Sequence, residues 1–275
     1  MMLEPIKHYP ALLHTKKQHK TLIIADLHLG WEVNLAQRGI HIPSQTAKIL
    51  QRLLRIISIT SPKTLIILGD VKHTIAKAEP GEWKDIPEFF EAIRAEVNDI
   101  RVIRGNHDGT LEPLLPKSVE LYPSTGIALD GVGLFHGHTW PAKKLLSSKI
   151  LVMGHVHPTL SIRDALGFRI TTPVWMKIGL DNRKLATPNL KSKYAETTTT
   201  RDAKGKRTGK LKAKQLLIVP CFNDFLGGRP INRKGKDQGY IGPLLRSEAT
   251  NIEKGQVYLL DGTFLGTVEQ LRGLS

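Results

Sequence analysis

The amino-acid sequence predicts an α/β protein in which a mainly parallel sheet is followed, beyond His157, by a second and more antiparallel one. Three observations carry that reading. Aliphatic runs at 21–25, 65–68 and 100–103 alternate with segments whose apolar residues recur at helical spacing, the pattern of strands joined by crossover helices. After His157 the runs at 168–172, 174–178, 216–219 and 256–260 follow one another with few helices between them, as antiparallel strands do. The apolar runs up to His157 end in, or beside, clusters of His, Asp and Asn.

Taken in order, residues 1–20 mix Lys, His and Pro with little periodicity and predict an irregular or edge-strand start. The run 21–25 is a buried strand. A helix is predicted from Ser44, which can cap, follows Pro43, and precedes Ile49, Leu53, Ile56 and Ile57 on one face; Pro62 ends it. Beyond the strand at 65–68, Pro87 opens a second helix with Phe90, Ile93 and Val97 on its apolar side. The strand at 100–103 follows. Short strands at 133–135 and 150–153, joined by a helix around 142–147, complete the parallel part.

The chain has 275 residues, enough for a full core in one large domain or two small ones. Lys and Arg number 40 against 25 Asp and Glu, a net charge of +15, which favours polyanionic partners such as nucleic acid or an anionic membrane surface. The apolar runs are short, and the N-terminus has no charged-then-apolar signal pattern. A soluble, cytoplasmic protein is the expectation. The single cysteine, Cys221, precludes an internal disulfide and, beside Val219 and Phe222, reads as core. Between 189 and 214 Lys191, Lys193, Arg201, Lys204, Lys206, Arg207, Lys210, Lys212 and Lys214 crowd a stretch with few apolar residues. It reads as a basic, flexible loop.

The chemistry lies where the strands stop. Asp26-Leu27-His28, Gly69-Asp70-Val71-Lys72-His73, Gly105-Asn106-His107-Asp108, His136-Gly137-His138 and Gly154-His155-Val156-His157 hold seven of the 11 histidines, and the other four precede the first helix. The carboxyl ends of neighbouring strands in an open parallel sheet converge on one crevice, so these side chains should meet. Imidazole, carboxylate and amide oxygen without thiolate suit Mn²⁺, Fe²⁺, Zn²⁺, Ni²⁺ or Co²⁺ better than a soft-metal site or a calcium cage. Glycines 69, 105 and 154 leave room for the backbone beside such ions.

With these motifs in this order, residues 21–158 at least resemble the calcineurin-like metallophosphoesterase superfamily. The stretches 25–32, 38–43 and 220–232, with Gly227-Gly228, resemble archaeal phosphoesterases related to the Mre11 and SbcD nucleases. The resemblance implies a four-layer αββα sandwich formed as a single domain over 1–275. It also implies two divalent ions, most simply Mn²⁺. Carried over by motif position, Asp26, His28 and His157 hold the first ion and Asn106, His136 and His155 the second, with Asp70 bridging. His136 is preferred to His138 because it directly follows the strand at 133–135.

Two such ions, roughly 3.5–4 Å apart, can bind phosphate oxygens and lower the pKa of a bridging water until it is a nucleophile near neutral pH. The resemblance places His107 to protonate the leaving oxygen, with Asp108 orienting its ring. His73 is left between support of a ligand and contact with substrate. The expected activity is phosphodiester hydrolysis on nucleic acid, beside a helicase or repair protein. Hydrolysis of small nucleotides, or non-catalytic nucleic-acid binding, are the alternatives. The oligomeric state is not legible.

Overall fold

The computed structural model describes residues 2–164, 166–185, 211–233 and 242–274. Of the basic loop expected at 189–214, all but 211–214 lies outside the described residues. The first sheet holds β1 (Met2–Pro5), β2 (Leu12–Lys16), β3 (His19–Ile24), β4 (Thr64–Ile67), β5 (Asp99–Ile103) and β6 (Val119–Tyr122), side by side in chain order. The β1–β3 pairings are antiparallel and the β3–β6 pairings parallel, so the irregular or edge-strand start is an antiparallel ribbon at the sheet's edge. Every residue of β4 is buried, as is 21–24 in β3. Coverage on both faces is why these strands read as unbroken aliphatic runs.

Three helices precede β5: α1 (Glu32–Ala36), α2 (Thr46–Thr60) and α3 (Pro80–Arg94). In α2, Ile49, Leu53, Ile56 and Ile57 are buried, while Ser44 Oγ accepts from the Thr46 N–H at 3.2 Å just outside the first turn. Helix α3 corrects the sequence reading. It begins at Pro80, behind a Glu79–Glu82 capping box, and carries Pro87 in its interior. An interior proline costs about 3 kcal/mol. Full burial of Phe89 and Phe90 on the same helix, on the order of 1.5–3 kcal/mol each, offsets that cost.

The second sheet begins with β7 (Ile127–Leu129), β8 (Val132–Phe135) and β9 (Ile150–Met153). Beyond them come β10 (Pro158–Arg163), β11 (Arg169–Pro173), β12 (Trp175–Gly179), α4 (Asn182–Leu185), β13 (Gln215–Ile218), β14 (Arg229–Pro230), β15 (Gln256–Tyr258), β16 (Phe264–Thr267) and α5 (Val268–Leu271). The sheet order is β16-β15-β12-β13-β9-β8-β7, with β10 set apart between β11 and β14. Strands β8, β9 and β13 run parallel and the other neighbours in the large sheet antiparallel. Sequence had put 133–135 and 150–153 in the first sheet. Those strands are parallel to each other and buried on both faces, so their aliphatic signature matches that of β3 and β4. The segment joining them is a 3₁₀ helix, Lys143–Ser147, rather than an α-helix.

Three apolar clusters separate four layers. One joins α2 and α3 to the first sheet through Leu53, Phe90, Leu22 and Leu65. Another lies between the sheets, where Ile23, Ile66 and Leu68 meet Leu134, Val152 and Trp175. The last covers the far side of the second sheet, with Leu145, Leu185, Leu245 and Leu271 over Met153, Met176 and Ile218.

Candidate metal centre

The predicted donors reach one place from both sheets. Asp26 and His28 follow β3, Asp70 follows β4, and Asn106 follows β5; His136 follows β8, while His155 and His157 follow β9. The first two loops are tied through their backbones: the Asp26 N–H donates to the Gly69 carbonyl at 3.1 Å and the His28 N–H to the Asp70 carbonyl at 2.8 Å. Close approach is what glycine permits here. A Cβ on Gly69, where φ is +84°, would stand 2.5 Å from His136 Nδ1, and one on Gly105 would collide with the Asp70 carboxylate. Asp26, His28, Asp70, His155 and His157 themselves have φ between 44° and 70°, a region that costs a non-glycine residue about 1–3 kcal/mol.

Two clusters of ligand atoms result, each within 4.8 Å: Asp26, His28 and His157, and Asp70, His136 and His155. Asp70 lies between them, its Oδ2 3.5 Å from His28 Nε2 and 3.3 Å from His136 Nε2. Asn106 Oδ1 is 3.2 Å from His136 Nε2. His138 belongs to neither cluster, its ring centroid 5.2 Å from that of His136. His136, and not His138, is the member of this pair that joins a ligand cluster.

Several contacts are those of ligands facing a cation. The Nε2 atoms of His28 and His157 face each other at 3.3 Å. His28 Nδ1 is buried without a hydrogen-bond partner. The Leu68 carbonyl accepts from His136 Nδ1 at 2.6 Å, which leaves Nε2 as the electron-pair donor. The donor set of imidazole, carboxylate and amide fits one or two divalent ions of the borderline class.

Protons are distributed unevenly in the metal-free site. Burial drives His28 down to about 3 and His155 to about 4. For His136 burial acts the same way, but the Asp70 charge and hydrogen bond, with Asp26, push it up to about 9. His157 is likewise held well above the ordinary value, because Asp26 outweighs burial. Burial would raise Asp70, yet the His136 charge and hydrogen bond, helped by His28 and His107, hold it below the usual carboxylate range.

His107 lies at the mouth, with its backbone N–H donating to Asp70 Oδ1 at 2.9 Å and its Nε2 4.0 Å from Asp70 Oδ2. Asp108 does not orient its ring. The fully buried carboxylate accepts from the N–H groups of Val71 at 2.9 Å, Lys72 at 3.3 Å and Gly105 at 2.8 Å, clamping two ligand loops together. Burial, with the nearby Asp70 charge, raises it to about 6. The His107 ring is held instead by the His73 carbonyl at Nδ1. Adjacent residues in a tight turn point apart, so the Asp108 carboxylate reaches past its neighbour to the backbone.

Asn223 and Asn232 serve the backbone: Asn223 Nδ2 donates to the Leu27 carbonyl at 2.8 Å, and Asn232 Nδ2 to the Ser161 carbonyl at 2.7 Å. Cys221 is buried, with its thiol donating to the Asp26 carbonyl at 3.1 Å. Sequence reasoning missed Asn34, beside His73, and the buried Glu82, which accepts from the His73 and Thr74 N–H groups at 3.1 and 2.9 Å. Only the Glu79-x-x-Glu82 capping pattern signalled the latter. A cleft of about 700 Å³ opens over the donors, lined by His28, Asp70, Asn106, His107, His157 and Arg229 among others.

The family model for calcineurin-like phosphoesterases matches residues 19–183, and the chain belongs to that family. Its four layers are the αββα sandwich expected of such a protein. Among solved structures it is similar to the Pseudomonas putida nuclease MPE, at 19% identity over 96% of this chain and 100% of that one, with a TM-score of 0.52. It also matches the Escherichia coli phosphoesterase Yfce, at 22% identity over 53% of this chain and 74% of that one, with a TM-score of 0.34. Comparison with curated proteins gives no significant match. Among the described residues no helix is long and apolar enough to cross a membrane.

Proposed function

We propose that this chain is a dinuclear metal-dependent phosphodiesterase acting on nucleic acid. The observation that carries the reading is the position of Asp70, whose Oδ2 lies 3.5 Å from an imidazole of one cluster and 3.3 Å from an imidazole of the other. Two divalent ions held in such a site would supply Lewis acidity toward a phosphoryl oxygen and toward attacking water. Asp26, His28, Asp70 and His157 would hold one, and Asp70, Asn106, His136 and His155 the other.

The protein's own part is positioning and proton supply. His107 is fixed at Nδ1 by the His73 carbonyl, so Nε2 is the atom that can deliver a proton to the departing oxygen. Arg229 lines the same cleft and adds positive charge at its rim. The net charge of +15 supports a polyanionic substrate, as does the fold shared with a bacterial nuclease. A helicase or repair protein is the partner such a substrate suggests.

Mn²⁺-dependent hydrolysis should be measured on single- and double-stranded nucleic acid, an aryl phosphodiester and an aryl phosphomonoester. Turnover of nucleic acid and of the diester is expected. His107→Ala should slow nucleic-acid cleavage by about 10²–10⁴-fold, and the aryl ester less, because its leaving group needs no proton. Turnover of the aryl esters alone would remove nucleic acid as substrate.

A further inference from the structure

A third convergence of donors shares His28 but contains no carboxylate: His28, His73 and His107 bring one nitrogen each to within 4.8 Å of one another. The His28 ring meets that of His107 edge-on with centroids 4.7 Å apart, and that of His73 at 5.3 Å. Two of the rings are held from behind. The His73 carbonyl accepts from His107 Nδ1, and the Asn34 amide lies 2.5 Å from His73 Nε2. What remains on His73 is Nδ1, which is buried and has no hydrogen-bond partner, as is His28 Nδ1.

An orphaned buried nitrogen carries a desolvation cost that no partner offsets. His107, which donates its Nδ1–H to a carbonyl and leaves Nε2 bare, has the arrangement that metal-binding histidines adopt; His73 takes it when the Asn34 amide turns its oxygen, rather than its nitrogen, to Nε2. The loop that carries His73 is fixed too, since its N–H and that of Thr74 both end on the buried Glu82.

We infer that His28, His73 and His107 form an alternative all-imidazole seat for a divalent cation, competing for His28 with the seat made by Asp26, His28 and His157. Three neutral nitrogens favour Cu²⁺, Ni²⁺ and Zn²⁺, whereas Mn²⁺ and Mg²⁺ stay with the carboxylates. An ion in this seat engages the His107 electron pair and removes the proton donor, so nitrogen-preferring metals act as a brake. The brake rests on the phosphodiesterase reading; the seat does not.

One equivalent of Cu²⁺ added to the full chain tests the seat by electron paramagnetic resonance. Each carboxylate cluster offers two imidazoles, so nitrogen splitting from three ligands is expected in the wild type and from two in His73→Ala. His73→Gln, which keeps the side chain's bulk, should match His73→Ala. Two-nitrogen splitting in the wild type, or the same pattern in all three proteins, would overturn the seat. For the brake, the ratio of Zn²⁺- to Mn²⁺-supported hydrolysis of an aryl phosphodiester should rise about tenfold or more in His73→Ala. An unchanged ratio with altered copper spectra sinks the brake alone, and a wild type inactive with Mn²⁺ sinks the phosphodiesterase reading instead.

Discussion

The two sheets contribute different chemistry to the same centre. From the first come Asp26 and Asp70, with His28 and Asn106; from the second come imidazoles only, His136, His155 and His157. Each of the two carboxylate-containing clusters combines a carboxylate from the first sheet with at least one imidazole from the second, so neither sheet alone completes either of those two. Within each cluster one imidazole is kept neutral and one protonated: His28 against His157, and His155 against His136. All four are largely or wholly buried. The difference lies in which ring adds a hydrogen bond to a carboxylate: His136 has Asp70 and His157 has Asp26, which outweigh burial, whereas burial prevails at His28 and His155 despite nearby carboxylate charge.

The sharpest way to break this arrangement is Asp70→Ala, which takes the shared carboxylate from between the clusters. Hydrolysis should fall by roughly a thousandfold, from the several kcal/mol a metal centre supplies. The variant should also lose most of the wild type's metal-induced stabilisation, about 2.7 kcal/mol at a hundred times the dissociation constant. Thermal unfolding with Mn²⁺ and with chelator measures the second effect, and equal metal shifts in both proteins would contradict the bridging position.

The proton distribution predicts a smaller, pH-dependent effect. An ion at His136 must displace a proton held with a pKa of about 9, so Mn²⁺ affinity should rise by about tenfold per pH unit up to that value. Titration calorimetry in buffers of different ionisation enthalpy would reveal the released proton. The metal-free chain should respond in the opposite sense. His136 and His157 have folded-state pKa values above the unfolded 6.5, so their contribution is full below pH 6.5 and is lost as pH rises through about 9. His28 and His155, being lowered, are already neutral in that window. Chelator-treated protein should melt lower at pH 9 than at pH 6.5; an equal or higher melting temperature would count against the paired protons.

Asp108→Asn gives the smallest change and probes the first sheet alone. Replacing a carboxylate that accepts from Val71, Lys72 and Gly105 should cost about 1–3 kcal/mol of stability. The proton step at His107 should survive, so the rate ratio between substrates with basic and acidic leaving groups stays as in the wild type. A loss confined to the basic leaving group would restore Asp108 as the orienting partner of the ring.

Much of this centre was legible because each ligand directly follows a strand, and a strand buried on both faces announces itself as an aliphatic run. Sheet membership was not, since Val132–Phe135 and Ile150–Met153 carry the same signature as Thr64–Ile67 while lying in the opposite sheet. Periodicity reports burial, not the partner that provides it. The start of α3 was missed because Pro87 was the more conspicuous proline, although Glu79 and Glu82 mark the true cap. Asp108 was misassigned because nearness along the chain says little about where two side chains point in a tight turn.

The left-handed backbone at Asp26, His28, Asp70, His155 and His157 has a consequence for engineering. Glycine adopts that conformation without penalty, so an inactivating replacement such as His155→Gly relieves local tension as it removes a donor. His155→Gly should thus survive heating better, in the absence of metal, than the intact chain, whereas Asp70→Ala, which takes the charge partner from protonated His136, should not. Selecting for robustness alone would steer the sequence away from its own reactivity.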